Sequence, residues 1–599
     1  MSRQKPKKAF FILGVFGMAI SSLLSLASPP VKKSAQPPRP NIILIMTDDQ
    51  GYGDLGFQGN PYVKTPNIDK LAVKSTRLTN YHHSPVCAPT RASLLTGRYH
   101  QRTGVHDTWN NGAIMATEEI TMAELFSQNG YQTGIVGKWH LGDNYPFRPS
   151  EQGFQYSLIH HGGGGIGQPG DIIDNYIRTD SSYFNTLLFE NNIQTATKGY
   201  CTDVFTDGAL KFIEKNKDEP FFLYVAYNAP HSPLQVPQKY YELYKDLKFN
   251  TPFDLQADKA WSKMTDKDKE DARRVYAMVT NIDENVGRIL TEVKKQSLEN
   301  NTIIIFTTDN GNPQLRYNTG LKGNKGTAYE GGTKVPYFIS GKGIPENKEI
   351  NALLAHVDVL PTFLEAAKIP LPTEIKLDGK SAWPLIQGKI STTTERQFYN
   401  SWNRGWGEPY RNAAYYKGNY KLIAFNADEN NINTFGLYHL KDDPFEQNNL
   451  VTTQKELGIS MKKGLDSIFA ELSASPQLSP RRIEIGSVKE NPTVLNRQDW
   501  GGNAVSKWDS ENALGIWTVS IQEDGYYNFK LINIKPIPKG TRALVRLGQI
   551  QRSKITDQES TTASIENIYL TKGDCNIESW FEWNGNTTGP YYLEVFKKP

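Results

Sequence analysis

A doubly wound α/β domain on a mostly parallel sheet, a smaller C-terminal α+β subdomain and an appended all-β sandwich make up the architecture this 599-residue chain predicts. Three observations carry it. Short apolar runs that end in polar residues recur through the first half of the chain, as strands buried on both faces of a parallel sheet require. Stretches of helical period lie between them. After residue 479 the pattern turns to short alternating strands with turn residues at close intervals, which fits a sandwich of the jelly-roll kind.

Residues 1–27 read as a signal peptide. Arg3, Lys5, Lys7 and Lys8 form a positive head, an apolar stretch follows, and Ser25 and Ala27 are small residues placed for cleavage. Gly14, Gly17, Ser21 and Ser22 dilute the apolar run and argue against a membrane anchor. The expectation is an exported protein, periplasmic or extracellular, with no stable membrane association. Residues 28–38, rich in Pro and Lys, are expected to form a disordered leader.

The α/β domain is placed at residues 39–390. Four strands are expected to deliver polar groups: Asn41–Thr47 ends in Asp48-Asp49, residues 131–136 run into Gly137-Lys138-Trp139-His140, residues 220–227 into Ala229-Pro230-His231, and Thr302–Thr308 ends in Asp309-Asn310. In open α/β sheets functional groups gather at the carboxyl ends of strands. Val275, Met278, Val279, Ile282, Val286, Ile289, Leu290 and Val293 recur at three and four, which predicts one long helix before the last of these strands. Met122–Gln128 is a shorter helix with its stop at Asn129-Gly130. The α+β subdomain, 391–476, is expected to hold antiparallel strands at 396–402, 412–425 and 435–440 and a closing helix over 454–472. The sandwich, 479–599, takes strands at 515–521, 525–531, 542–547, 564–570 and 591–596, and a structural role is the first expectation for it.

A net charge of +4, with no basic block after the N-terminus, offers no footprint for nucleic acid. Three cysteines, Cys87, Cys201 and Cys575, are too few for a disulfide scaffold in an exported chain. Cys201 and Cys575 fall in different expected domains and are read as free thiols.

Two groups of residues carry chemistry. Asp48, Asp49, Asp309 and Asn310 bring three carboxylates and an amide oxygen to two strand ends, a hard-oxygen set suited to Ca²⁺ or Mg²⁺. Cys87-Ala-Pro89-Thr90-Arg91 leads into Leu95-Thr-Gly-Arg98, with a helix expected to begin at Ala92, so that residue 87 would sit just before a helix N-terminus.

The Cys87 run resembles the signature of the type I, formylglycine-dependent sulfatases, arylsulfatase-like members of the alkaline-phosphatase superfamily. Gly137-Lys138-Trp139-His140-Leu141-Gly142, the lysine run from Gly323 to Gly332 and Asp443-Pro-Phe-Glu446-Gln-Asn-Asn-Leu450 resemble further motifs of that family. Thr90 stands where many relatives carry Ser, and Asn324 where they carry Gly. The resemblance implies an alkaline-phosphatase-like fold and a sulfuric ester hydrolase. It implies that a maturation enzyme converts Cys87 to formylglycine, whose gem-diol attacks sulfur and passes through a covalent sulfate intermediate. It puts Asp48, Asp49, Asp309, Asn310 and the modified Cys87 on a metal, Ca²⁺ before Mg²⁺. Arg91 stabilises the nucleophile, Lys138 and Lys325 contact sulfate, His140 is the base that frees sulfate and His231 the acid to the leaving alcohol.

Export, 30 Tyr and 11 Trp, and the added β domain point to a sulfated carbohydrate as substrate. Trp109, His161 and Arg316, in loops near the strand ends, are the expected substrate contacts. The alternatives are a phosphonate or phosphate diester hydrolase on the same fold, and a non-catalytic glycan-binding homologue.

Overall fold

Successive side chains of the strand Asn41–Thr47 enter two different cores. Ile42, Leu44 and Met46 pack on one face of the sheet and Ile43 and Ile45 on the other, which is why the run has no polar interruption. This strand lies between Thr302–Thr308 and Phe221–Ala226, parallel to both. The computed structural model describes residues 39–249, 264–391, 395–501 and 508–599; the expected signal peptide and leader lie outside them. Gln132–Lys138 and Tyr156–His160 extend the parallel core, and antiparallel strands flank it on both sides to make a sheet of ten. The helices Cys87–Thr96, Met122–Gln128 and Val359–Ala367 cover one face; Pro66–Val73, Cys201–Lys215 and Asp266–Lys295 cover the other.

The long helix begins at Asp266, where Thr265 accepts from the Asp268 amide in a capping box. Met122–Gln128 has the same device in Thr121 and Glu124, and Gly130 at φ 77° turns the chain out of it. The helix expected from Ala92 begins five residues earlier, at Cys87. Pro89 fits there because its ring falls in the first turn, where the missing N–H has no intrahelical partner to lose.

The next sheet is four-stranded and antiparallel: Gln397–Ser401, Asn412–Lys417, Tyr420–Phe425 and Gly436–His439. The single strand expected over 412–425 is a hairpin, turned at Gly418 with φ 58°. The helix Lys455–Ser473 packs on this sheet through Met461, Leu465 and Leu472. Beyond it, two β-sheets face each other over a core that includes Trp517, Phe529, Phe581 and Leu593. Five sandwich strands were not among those expected: Ile483–Ile485, Thr493–Asn496, Ile550–Ile555, Gly573–Trp583 and Asn586–Thr588. Ile114 and Phe147 of the α/β part enter this same core. All three cysteines are free. No described helix is long and apolar enough to cross a membrane.

Candidate active site

Four parallel strands end on one rim of the sheet, and their next residues converge. Asp48 and Asp49 follow the first, Lys138 ends the second and leads to His140, His231 lies beyond Phe221–Ala226, and Asp309 and Asn310 follow Thr302–Thr308. The Lys138 ammonium lies 2.6 Å from Asp48 Oδ2. Arg91, fully buried, donates to Asp309 Oδ2 at 2.9 Å and to the Lys138 carbonyl at 3.0 Å. Lys325 Nζ is 2.6 Å from Asp49 Oδ1, and His231 Nε2 is 3.5 Å from Asp49 Oδ2.

Two of these residues hold strained backbone. Asp49 has φ 64° and His140 φ 61°, a region that costs non-glycine residues free energy unless their surroundings impose it. The Asp49 amide donates to Asp309 Oδ1 at 3.1 Å, and its carbonyl accepts from Arg316 Nη2 at 2.8 Å. His140 Nε2 contacts the Thr108 carbonyl at 2.9 Å.

The oxygen atoms fit a hard cation. Asp48, Cys87 and Asp309 each offer a ligand atom within 4.8 Å of one another, as do Asp48, Asp49 and His231. Asn310 donates through Nδ2 to Asp49 Oδ1 at 2.8 Å and to the Gly311 carbonyl, and its Oδ1 is buried with no partner. Asp48 Oδ1 is likewise buried without a hydrogen-bond partner. Orphaned buried oxygens beside clustered carboxylates are the arrangement a divalent ion relieves.

Charge tuning is strong here. Burial pushes Asp309 above the usual carboxylate range, and the neighbouring Asp48 adds to the effect. Burial acts on Asp49 in the same sense, yet Lys325 and His231 outweigh it and hold that carboxyl well below its ordinary value. Burial, reinforced by Lys325 and Lys138, brings His231 down to about 3 against the pull of Asp49. Burial and Lys138 keep His140 neutral in the same way. Burial raises the Cys87 thiol, the opposite of what a thiolate nucleophile needs.

Above this constellation is a cavity of about 350 Å³ lined by Cys87, His140, His231, Lys325, Thr108, Trp109 and Gly164, and by residues not expected at the site: Gln168, Trp402, Arg404, Gln498 and Trp508. The last two come from the C-terminal sandwich region, so the β domain forms part of the pocket wall. Gln498 Oε1 accepts from the Gly163 amide at 2.5 Å, its amide nitrogen donates to the Pro169 carbonyl, and its own carbonyl accepts from the Asn110 amide at 2.7 Å. A Cβ on Gly163 would stand 2.4 Å from His140 Nε2, so only glycine lets this loop pass the histidine.

Two expected substrate contacts lie elsewhere. Arg316 is 1% exposed and paired with Asp54 at 2.7 Å, where with its bond to the Asp49 carbonyl it braces the strained turn. His161 stacks on Phe189 at 3.6 Å between ring centroids. Neither lines the cavity, because a loop position near a strand end does not say on which side of the loop a side chain emerges.

The sequence profile of the sulfatase family matches residues 40–369, and that of the N-sulphoglucosamine sulphohydrolase C-terminal region matches 323–471. The uncharacterized sulfatase YdeN of Escherichia coli is 31% identical over 59% of this chain and 66% of its own length. An ulvan-active sulfatase of Formosa agariphila is 28% identical over 74% of this chain and 84% of its own. Arylsulfatase J of Mus musculus is 30% identical, and the match spans 57% of that protein. Among solved structures, Ps i-CgsB in complex with k-i-k-neocarrahexaose is similar with a TM-score of 0.63 and 28% identity, over 74% of this chain and 95% of that one. With a family profile that covers more than half of its length laid over this rim of strand ends, the chain belongs to the sulfatase family of the alkaline-phosphatase superfamily.

Proposed function

We propose that the protein hydrolyses a sulfate ester of a sulfated carbohydrate, with Cys87 matured to formylglycine as the nucleophile. The observation that carries this reading is the position of Cys87. It is 2% exposed, opens a helix on the cavity floor, and lies among Asp48, Asp309, Arg91, Lys138 and Lys325 with its thiol disfavoured for ionisation. A thiol so placed is a poor nucleophile, whereas an aldehyde hydrate on the same carbon has two hydroxyls, one to attack sulfur and one to release it.

A divalent ion, Ca²⁺ before Mg²⁺, would be held by Asp48, Asp49, Asp309, Asn310 and residue 87, and would supply Lewis-acid stabilisation of negative charge. The chain's own groups do the rest. Lys138 and Lys325 neutralise the sulfuryl oxygens, and Arg91 holds the nucleophile's oxygen beside Asp309, a preorganised electrostatic stabilisation that is commonly the largest catalytic effect. His231, neutral in the free site, gains affinity for a proton when an anionic ester arrives and passes it to the leaving alcohol oxygen. His140 takes the proton from the second hydroxyl as sulfate leaves. The helix N-terminus at residue 87 favours the anion throughout.

The carbohydrate assignment is supported by the two relatives named above whose own names or ligands are sulfated-glycan ones, and by four tryptophan and arginine side chains around the cavity mouth. An enzyme made for phosphonate or phosphate diesters would prefer those esters on matched leaving groups. The test is sulfate release from a panel of sulfated oligosaccharides by matured enzyme beside Cys87→Ala, with aryl sulfate and aryl phosphonate as references. Release that depends on Cys87 and favours sulfate is expected; equal release by the variant would sink the reading. The N-terminal expectation of export by a signal peptide stands with this proposal, since polysaccharide sulfates meet the protein outside the cytoplasm.

A further inference from the structure

The cavity has a charged floor and an aromatic rim, and the rim is built from two parts of the chain. At the floor Cys87 is buried; at the rim Trp109, Trp402 and Trp508 are half-buried and Arg404 is exposed. The Arg404 guanidinium lies between two indoles, 4.8 Å from the Trp109 ring centroid and 4.9 Å from that of Trp402. Trp109 in turn packs on Trp508 from the sandwich region, with centroids 5.2 Å apart and planes tilted by 42°.

The charge on this arginine is directed. Its Nη1 donates to Asp107 Oδ1 at 2.6 Å and to Thr108 Oγ1 at 2.9 Å. Asp107 is 0% exposed and bonds the Gly405 amide and the Trp402 indole N–H as well, so it braces the arginine from behind and cannot meet a ligand. Nε and Nη2 have no hydrogen-bond partner among the described residues. A planar donor edge held between two rings is preorganised for bidentate contact with a carboxylate or sulfate, and little rotamer freedom remains to be lost on binding.

The cavity volume of about 350 Å³ is at the low end of the ~300–1,000 Å³ typical of small-molecule sites. It takes one sulfated sugar unit over residue 87, and the chain to which that unit belongs must leave past the rim. Resting on the sulfatase reading, we propose that Trp109, Trp402, Arg404 and Trp508 form a subsite for the sugar next to the one that is desulfated, with Trp508 stacking on its ring and Arg404 pairing with an anionic substituent on it. The substrate class is thus an oligosaccharide with a second anion, either a uronate carboxylate or another sulfate, on the neighbouring residue. The C-terminal sandwich supplies part of the specificity as well as structural support.

The test compares kcat/KM on a sulfated tetrasaccharide with kcat/KM on 4-nitrophenyl sulfate for wild type, Trp508→Ala, Trp508→Phe and Arg404→Gln. Chondroitin sulfate tetrasaccharide carries the uronate, its carboxyl-reduced form lacks it, and an ι-carrageenan tetrasaccharide carries the second sulfate instead. Trp508→Ala should lower the glycan-to-aryl ratio about tenfold, in KM, and Trp508→Phe should restore most of it. Arg404→Gln should lower the ratio about tenfold only for the tetrasaccharides whose neighbouring sugar is anionic; whether uronate or sulfate is the more affected names the anion. An unchanged ratio, or equal loss on glycan and aryl ester, overturns the subsite. Calorimetric binding of the same tetrasaccharides to Cys87→Ala protein, with and without Trp508→Ala, reads the subsite without turnover. Absence of turnover on every ester would sink the sulfatase reading alone, while equal affinity of the two proteins, or no binding by either, would sink the subsite.

Discussion

Gln498, at the edge of the sandwich, accepts a 2.5 Å hydrogen bond from the amide of Gly163, the residue whose α-carbon faces the His140 ring. One side chain from the sandwich region therefore holds the loop that confines a histidine proposed to act in catalysis. Gln498→Ala leaves the Gly163 amide and the Pro169 carbonyl without partners, a cost of about 1–3 kcal/mol for each buried group that stays unsatisfied. The expected result is a folded protein whose kcat on an aryl sulfate falls roughly tenfold or more while KM changes less. Kinetics beside a circular-dichroism melt would show it, and full kcat in the variant would separate the loop from catalysis.

Protein that retains the Cys87 thiol should be folded but inactive. Loss of a nucleophile commonly costs several orders of magnitude in kcat, and the raised, buried thiol offers no substitute. Activity plotted against the aldehyde fraction, measured by peptide mass, should be linear through the origin. A plateau at zero aldehyde would contradict the mechanism.

Chelation should abolish turnover and lower the melting temperature. Asp48, Asp49 and Asp309 share one buried site, and an ion that binds only the folded state adds about 2.7 kcal/mol at a hundred times its Kd. Calcium should restore both properties at lower concentration than magnesium, and Asp309→Asn should weaken the calcium response. A melting temperature indifferent to chelator and to calcium would argue against the site.

Lys421, fully buried, lies 2.9 Å from Glu330 and 2.8 Å from Glu446, and Glu446 also accepts from the Glu330 amide at 2.8 Å. Lys421→Met would strand two carboxylates in the interior. Breaking such a pair from one side costs about 3–5 kcal/mol, so the urea midpoint should fall sharply. Because Glu330 starts the turn after the Lys325 loop, activity should fall before the protein unfolds.

Burial raises Asp171 to about 8, although the Gly167 and Ile172 amides bond it, and Asp143 beside it is raised to about 6. In the unfolded chain both titrate near 4. Between about pH 4 and pH 8 the folded state binds more protons than the unfolded one, so this contribution is present in full at the acid end and is lost as pH rises. Asp171→Asn should narrow the fall in melting temperature from pH 5 to pH 9. An identical fall in both proteins would discard the assignment.

The strand ends were legible because each apolar run stops at a buried carboxylate of the candidate site: Thr47 before Asp48, Thr308 before Asp309. The helix at Cys87 was legible in its body but not in its start, because Pro89 reads as a breaker until it is known to occupy the first turn. Of the rim only Trp109 was expected, and the rest escaped notice for a different reason. Gln498 and Trp508 are some four hundred residues from Cys87, and no local period says that a sandwich loop will fold back over a distant strand end. Trp402-Asn-Arg404-Gly-Trp406, which begins at the end of the strand expected over 396–402, carried a usable hint, a charged residue between aromatic ones.

The sandwich's place in the pocket also sets a timetable. The chain is made from its N-terminus, and domains tend to fold as they emerge, so the ten-stranded sheet and its carboxylates can assemble while Gln498 and Trp508 are still unmade. Until those residues arrive, the Gly162–Gly170 loop lacks its clamp and the Trp109 indole lacks its neighbour. Competence therefore arrives last, and a ribosome that stalls or a protease that trims the C-terminal region leaves a sheet that has folded around an unfinished pocket.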